Sequence, residues 1–230
     1  MSSIILDLVR NLFVLSVNIV MNRFILLLLL CSVPMIVNSC GSDDSFDGEG
    51  YIEFDAHSIE TGRKEKDKFF KSDSHSPLLP EQRTTFTGLR YYLPSEEYYV
   101  NATFDQSDKP DTIQMLTSKQ NDKRLYLRYG FFTFAIGDSS YKLTAFKSIG
   151  EASETLFVPF KDATNGKQTY GAGRYLDIEE DVGADEYTLD FNSAYNPYCA
   201  YNHAFSCPLV PSENVLDVSI KSGEKKPSDE

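Results

Sequence analysis

The chain has 230 residues, and its 34 acidic against 22 basic side chains give a net charge of −12. Nucleic acid and anionic lipid headgroups are repelled by such an acidic surface, so we expect neither as a partner. Residues 51–230 are enough for a single domain with a sizeable core, for which 16 Phe and 14 Tyr supply bulk in the absence of Trp.

An apolar segment near the N-terminus predicts export. Asn22 and Arg23 form a short polar start, and residues 24–37 that follow are almost wholly apolar. This run is too short to span a membrane comfortably and is typical of a signal peptide. We therefore predict a signal peptide over residues 1–39, with translation starting at Met21. The alternative is a transmembrane helix that also uses residues 4–20, although polar residues interrupt the combined run.

The predicted signal peptide ends in a motif that resembles the bacterial lipobox. Val37 lies three positions before Cys40, and the small Ser39 immediately precedes it. The peptidase needs a small residue at the cleavage site, and the thiol of Cys40 would carry the diacylglycerol. We expect the protein to be attached to a membrane through this lipid.

Residues 41–50 connect the lipidated cysteine to the domain. They are acidic and nearly free of apolar side chains, so they cannot bury enough surface to fold and are predicted to form a tether. An acidic stretch at this place resembles the surface-export signal of some Gram-negative lineages. We expect a protein of the cell envelope, anchored to the outer membrane, that faces either the periplasm or the outside.

Two helical segments precede the strands. Residues 55–71 are rich in charge, lack proline and end in Phe69 and Phe70, which favours a charged helix with aromatic anchors. After a break that contains Pro77, residues 80–83 favour one further helical turn.

The rest of the chain follows the period of two that is typical of strands. Turn-forming residues such as those at 108–111, 120–122 and 137–140 separate the runs, and short connections imply antiparallel neighbours. We predict a mainly β domain, an antiparallel meander that forms a barrel or a sandwich, with a helix near its N-terminus. The predicted strands are 98–104, 112–117, 124–134, 142–146, 155–160, 174–178, 187–191 and 215–220.

The second half of the domain is dense in Gly, Pro and polar residues that an ordinary β core does not need. The informative strings, which include some from the first half, are 69–70, 76–78, 86–92, 156–166, 169–177, 189–201, 207–209 and 213–214. Together they resemble domain-of-unknown-function family 1684, which is widespread in bacteria and haloarchaea. The resemblance runs from about residue 66 to residue 224 and implies no settled activity.

Cys199 and Cys207 are the cysteines left once Cys31 and Cys40 are assigned to the signal peptide and the lipid. An even pair in an oxidising compartment predicts a disulfide. With His203 between them, the same residues also fit a Cys-x₃-His-x₃-Cys metal set, which lacks an evident fourth ligand. Relatives that look cytoplasmic hold cysteines at matching positions, so buried free thiols are the third interpretation.

Six polar residues at the ends of predicted strands form the candidate ligand-binding set. Carboxylate, amide, phenol and guanidinium groups that converge there would line a pocket and orient a small polar ligand. The alternative is that they cap turns and pair with one another to hold a long ordered loop. The set is Arg174, Asp177, Asp190, Asn192, Tyr195 and Asn196.

The sequence predicts binding of a small polar molecule through the C-terminal half. An enzyme that uses the same pocket, with a flavin among the options, and a cell-surface interaction protein without a pocket are the alternatives. Catalytic residues are not identified, and no cofactor is predicted, although flavin and metal stay open.

Overall fold

The computed structural model describes residues 53–150 and 154–227, which belong to one compact unit, Tyr51–Glu230. The predicted signal peptide over residues 1–39, the lipidated Cys40 and the tether over residues 41–50 lie outside the described residues. Within the described ranges, no helix has the length and apolar character needed to cross a membrane.

The described residues contain two α-helices followed by six strands. In chain order they are α1 Ala56–Ser72, α2 Pro80–Thr85, β1 Tyr99–Leu116, β2 Lys123–Ile136, β3 Ser139–Ser148, β4 Thr155–Phe160, β5 Arg174–Glu179 and β6 Glu186–Asp190. The mainly β character and the N-terminal helix predicted from the sequence are confirmed.

Helix α1 begins and ends as its sequence predicts. The Asp55 carboxylate caps it by accepting a hydrogen bond from the backbone N–H of His57 at 2.8 Å. Near the other end Phe70 is buried, and its ring packs edge-on against Tyr201 with the centroids 5.0 Å apart. This aromatic contact fastens α1 to the C-terminal part of the domain.

All strand pairs are antiparallel, and the order across the sheet is β5-β4-β3-β2-β1-β6. The first five strands form a meander, and β6 returns to the free edge of β1. Directly after β6, Tyr195 forms a bridge with Tyr175 of β5, with N–H to carbonyl distances of 2.9 and 3.0 Å in the two directions. The sheet is therefore nearly closed into a barrel.

The prediction of two separate strands over 98–104 and 112–117 was wrong. Apart from their outer ends, Tyr98 and Thr117, both lie in the single strand β1, whose pairing with β2 shifts register between Gln106 and Asp111. The residues predicted to form a turn bulge out of the ladder instead, and Pro110 is tolerated there because a bulge needs no N–H from it.

The predicted strand over 215–220 was also wrong. Its alternation does bury Leu216 and Ile220, but the segment pairs with a loop rather than with a strand of the sheet. The N–H of Leu216 donates to the carbonyl of Lys161, and the N–H of Ala163 donates to the carbonyl of Val218. A period of two indicates which side chains are buried, but it does not identify the segment to which the backbone is hydrogen-bonded, because that depends on the whole fold.

The core fills the inside of the barrel with aromatic and branched side chains. Gly130 of β2 makes room for one of them, because a Cβ there would meet Cζ of Phe104 at 2.6 Å. Each wholly buried side chain of this size contributes about 1.5–3 kcal/mol. The completely buried members include Phe132, Leu143, Leu156, Leu176, Leu189 and Phe191.

Candidate ligand-binding site

Arg174 holds the C-terminal segment of the domain against the barrel. Its side chain is 0% exposed, and one terminal nitrogen lies 2.8 Å from the carboxylate of Asp162 and 2.9 Å from the carbonyl of Ile220. The other donates to the carbonyls of Ser222 and Glu224. Every described contact of the terminal nitrogens is internal, so Arg174 positions the residues that follow Ile220.

Glu224 is a second buried carboxylate at this segment, with a side chain 1% exposed. One of its oxygens accepts hydrogen bonds from the Tyr201 hydroxyl at 2.7 Å and the Asn196 N–H at 2.8 Å. The other oxygen lies 2.6 Å from the ammonium of Lys66 on α1. The ammonium also lies 4.7 Å from the centre of the Tyr195 ring, a cation–π contact.

Asp190 and Asn192 lie where β6 ends. The Asp190 carboxylate caps the turn by accepting from the N–H and the side-chain amide of Asn192, at 2.9 and 2.8 Å. The Asn192 side chain exchanges two hydrogen bonds with the backbone of Ser95 and accepts a third from Ser222. These bonds join three chain segments that are distant in sequence.

Arg63 connects α1 to the turn that follows β6. Its terminal nitrogens donate to the carbonyl of Tyr92 at 2.8 Å and to that of Asn192 at 3.2 Å. The guanidinium lies 4.5 Å from the centre of the Tyr91 ring. Burial lowers the pKa of Arg63 and raises the pKa of Tyr91, since both charged forms lose water.

A cleft of about 320 Å³ lies beside these groups, and we call it the α1 cleft. Two of its lining residues each have one polar atom, Nε of Arg63 and the hydroxyl of Tyr91, that is buried without a hydrogen bond to any described protein group. It is lined in part by Arg63, Lys66, Tyr91, Asp190, Asn192 and Glu224. The arrangement presents donors and carboxylates to a small polar molecule.

The family model described as "Protein of unknown function (DUF1684)" matches residues 84–225. The chain belongs to this family. It is also similar to an uncharacterized protein of Haloarcula marismortui solved by NMR, with 39% identity and a TM-score of 0.60. The similarity covers 75% of this chain and 95% of that protein. No curated protein matches the chain significantly.

Membership of DUF1684 confirms the resemblance predicted from the sequence, and the structure shows where this member places its candidate residues. Asp190 and Asn192 line the α1 cleft. Arg174 and Asn196 hold the segment that carries Glu224, and Tyr195 lies beneath Lys66. Asp177 is exposed and accepts a hydrogen bond from the Tyr195 hydroxyl at 2.6 Å.

The residues that sequence reasoning missed in the cleft of this DUF1684 protein include its charged and phenolic groups Arg63, Lys66, Tyr91 and Glu224. The spacing of three between Arg63 and Lys66 was an available signal, because it puts both cations on one face of a helix. No local pattern marks Tyr91 or Glu224, which meet through an isolated bridge between distant segments.

Cys199 and Cys207 lie together in the interior of the DUF1684 domain. The two sulfurs are not bonded, and the N–H of Cys199 donates to the sulfur of Cys207 at 3.2 Å. The hydrogen bond between the thiols lowers the pKa of Cys199 to about 6. The disulfide stays a prediction.

The metal alternative for these cysteines required His203. His203 is exposed, and the residues in ranges 53–150 and 154–227 contain no group of three or more His, Cys, Asp or Glu side chains arranged to hold a metal ion. The structure therefore does not bring the predicted Cys-His-Cys set together.

Proposed function

We propose that this protein is a lipid-anchored domain of the cell envelope that binds a small polar molecule in the α1 cleft. The lipobox pattern that ends in Cys40 supports the anchor, and the fold that starts at α1 follows the acidic stretch. The α1 cleft supports the binding role, with Asp190 and Asn192 supplied by the C-terminal half.

The observation that carries the binding proposal is a pair of buried donors, Nε of Arg63 and the Tyr91 hydroxyl, for which the described residues supply no acceptor. A donor left unsatisfied on folding costs about 1–3 kcal/mol, and a ligand oxygen recovers that cost if the side chain turns to donate to it in the cleft. Lys66 is paired with Glu224, which leaves the guanidinium of Arg63 as the cation that favours a carboxylate as the acceptor. The volume of about 320 Å³ restricts the ligand to a small molecule.

The test is an NMR titration of the domain with small hydroxy acids, amino acids and neutral sugars. We expect a carboxylate-bearing compound to give saturable shifts at Gly62, Arg63, Tyr91 and Asn192, all of which lie at the cleft. The proposal is overturned if none of these classes produces saturable shifts there.

Tyr91→Phe separates binding from folding. Removal of a hydroxyl that has no protein partner should raise the free energy of unfolding by about 1 kcal/mol while it weakens binding of the carboxylate about tenfold. Tyr98→Phe is the matched control, because the Tyr98 hydroxyl donates to the carbonyl of Ser219 at 3.3 Å and lies outside the cleft lining. It should lower stability and leave binding unchanged; a destabilised Tyr91→Phe protein with normal affinity would contradict the proposal.

A further inference from the structure

A second and larger cleft, of about 590 Å³, lies between the segment around α2 and the loop that follows Cys199. We call it the basic cleft. One part of its lining is apolar, and another carries Arg90, His203 and Lys225. Its apolar members include Leu78, Leu79, Phe86 and Leu89.

The backbone places Arg90 and Lys225 opposite each other. The N–H of Lys225 donates to the carbonyl of Arg90 at 2.7 Å, next to the bridge between Tyr91 and Glu224. Side chains alternate along paired extended segments, so Tyr91 and Glu224 line the α1 cleft while Arg90 and Lys225 line the basic cleft. The two clefts therefore lie on opposite faces of one short ladder.

Two cations at directly opposed positions repel each other, which destabilises the pairing. None of the residues that line the basic cleft is Asp or Glu, and neither Arg90 nor Lys225 forms an ion pair with a carboxylate in the described part of the chain. The Lys225 ammonium instead lies 4.6 Å from the centre of the Tyr92 ring. A pair of cations that no carboxylate of the described residues neutralises, in a chain with a net charge of −12, is suited to an anion from outside the domain.

We propose that the basic cleft binds a small amphipathic anion. The anionic head lies between Arg90 and Lys225, where it removes their mutual repulsion, and the apolar body packs against Leu79, Phe86 and Leu89. This proposal is independent of the one for the α1 cleft, since Arg90 and Lys225 lie on the opposite face of the ladder from Tyr91 and Glu224.

The test uses two fluorescent probes that differ by one charged group. 1-Anilinonaphthalene-8-sulfonate carries an apolar body and a sulfonate, and N-phenyl-1-naphthylamine has the same body without the charge. The protein used comprises Tyr51–Glu230, which form one compact unit and contain the whole described core. We expect the sulfonate probe to bind at least about tenfold more tightly than the neutral one and to lose affinity as salt rises.

Arg90→Gln and Lys225→Gln should each weaken binding of the sulfonate probe about fivefold or more and leave the neutral probe unaffected. Lys64→Gln is the matched control, because it removes the same charge from an exposed position of α1 outside both clefts. It should change the affinity less than about twofold, as expected for a screened distant charge. Leu79→Ala should weaken both probes.

A structural readout accompanies the binding data. Arg90→Gln should raise the thermal midpoint of the free protein, because it relieves the repulsion from Lys225. Equal affinity of wild type for the two probes, or wild-type affinity for the sulfonate probe in both Gln variants, would overturn the proposal. Tyr91→Phe should have no effect on either probe, which distinguishes this cleft from the α1 cleft.

Discussion

Buried polar side chains in this domain mainly fasten its C-terminal segment. Arg174 donates to three carbonyls of residues 220–224, while the Tyr201 hydroxyl and the backbone N–H of Asn196 donate to the carboxylate of Glu224. Gly223 fits there because its φ is +73° and a Cβ would meet the carbonyl oxygen of Ala194 at 2.6 Å. These contacts bring Glu224 to Lys66 and so build one wall of the α1 cleft.

Replacement of Arg174 by Met should lower the free energy of unfolding by about 3–5 kcal/mol, because the carboxylate of Asp162 would stay buried without its cation. Arg128→Met is the control, since Arg128 pairs with Asp111 and Glu213 at the surface. We expect it to cost less than about 1 kcal/mol. Urea denaturation measures the free energy of unfolding of both variants. Equal decreases would show that the buried pair of Arg174 and Asp162 stabilises the domain no more than a surface pair does.

The state of Cys199 and Cys207 is also decided at the residue scale. We predict that the exported protein contains them as a disulfide, so thiol titration of the unfolded, unreduced protein should find neither sulfur reactive. Loss of the crosslink should cost about 2–3 kcal/mol, as expected for such a small closed loop. Two reactive thiols in the titration would exclude the disulfide and leave the pair as found in the structure.

At the scale of elements, glycines set how closely the chain can pack. Gly62 lies on α1, where an added Cβ would meet no packed atom within 4 Å, whereas Gly130 lies on β2 against Phe104 and the carbonyl of Asp105. The same change of Gly to Ala therefore has opposite consequences at the two sites. On α1 it improves helix propensity, and on β2 it overfills the core.

Gly62→Ala should raise the free energy of unfolding by about 0.5–1 kcal/mol. Gly130→Ala should lower it by about 1–3 kcal/mol, because its Cβ would come within 2.6 Å of Phe104 and 2.7 Å of the Asp105 carbonyl oxygen. Thermal or urea unfolding of the two variants provides the comparison, each serving as the control for the other. A stable Gly130→Ala protein would mean that β1 and β2 separate more easily than the register indicates.

At the scale of the whole molecule, the proposed lipid anchor can be tested separately from the domain. Cys40→Ala should abolish lipid labelling and release the protein from the membrane fraction, because the modified thiol is the proposed attachment point. Cys31→Ala is the control, since Cys31 lies within the predicted signal peptide and precedes the cleavage site. Unchanged labelling and membrane retention of Cys40→Ala would reject the anchor.

The amino-acid sequence by itself determined helix α1, most of the strands and the family. Those features depend on local signals: the charge run that ends in Phe70, the period of two and the turn formers between strands. The same signals led to wrong predictions for β1, which was divided into two strands, and for residues 215–220, which were predicted to form a strand. A local pattern indicates burial and turn tendency, and it does not identify the segment with which a strand pairs.

Only the tertiary structure decided how the barrel nearly closes and where its clefts lie. The bridge of Tyr175 with Tyr195 and that of Tyr91 with Glu224 join segments that no periodicity connects. The sequence pointed to Asp190 and Asn192, whereas Arg63, Lys66, Tyr91 and Glu224 were found only from the fold. The physical reason is that a cleft is formed by side chains from distant segments, whose proximity depends on the packing of the whole chain rather than on their neighbours in sequence.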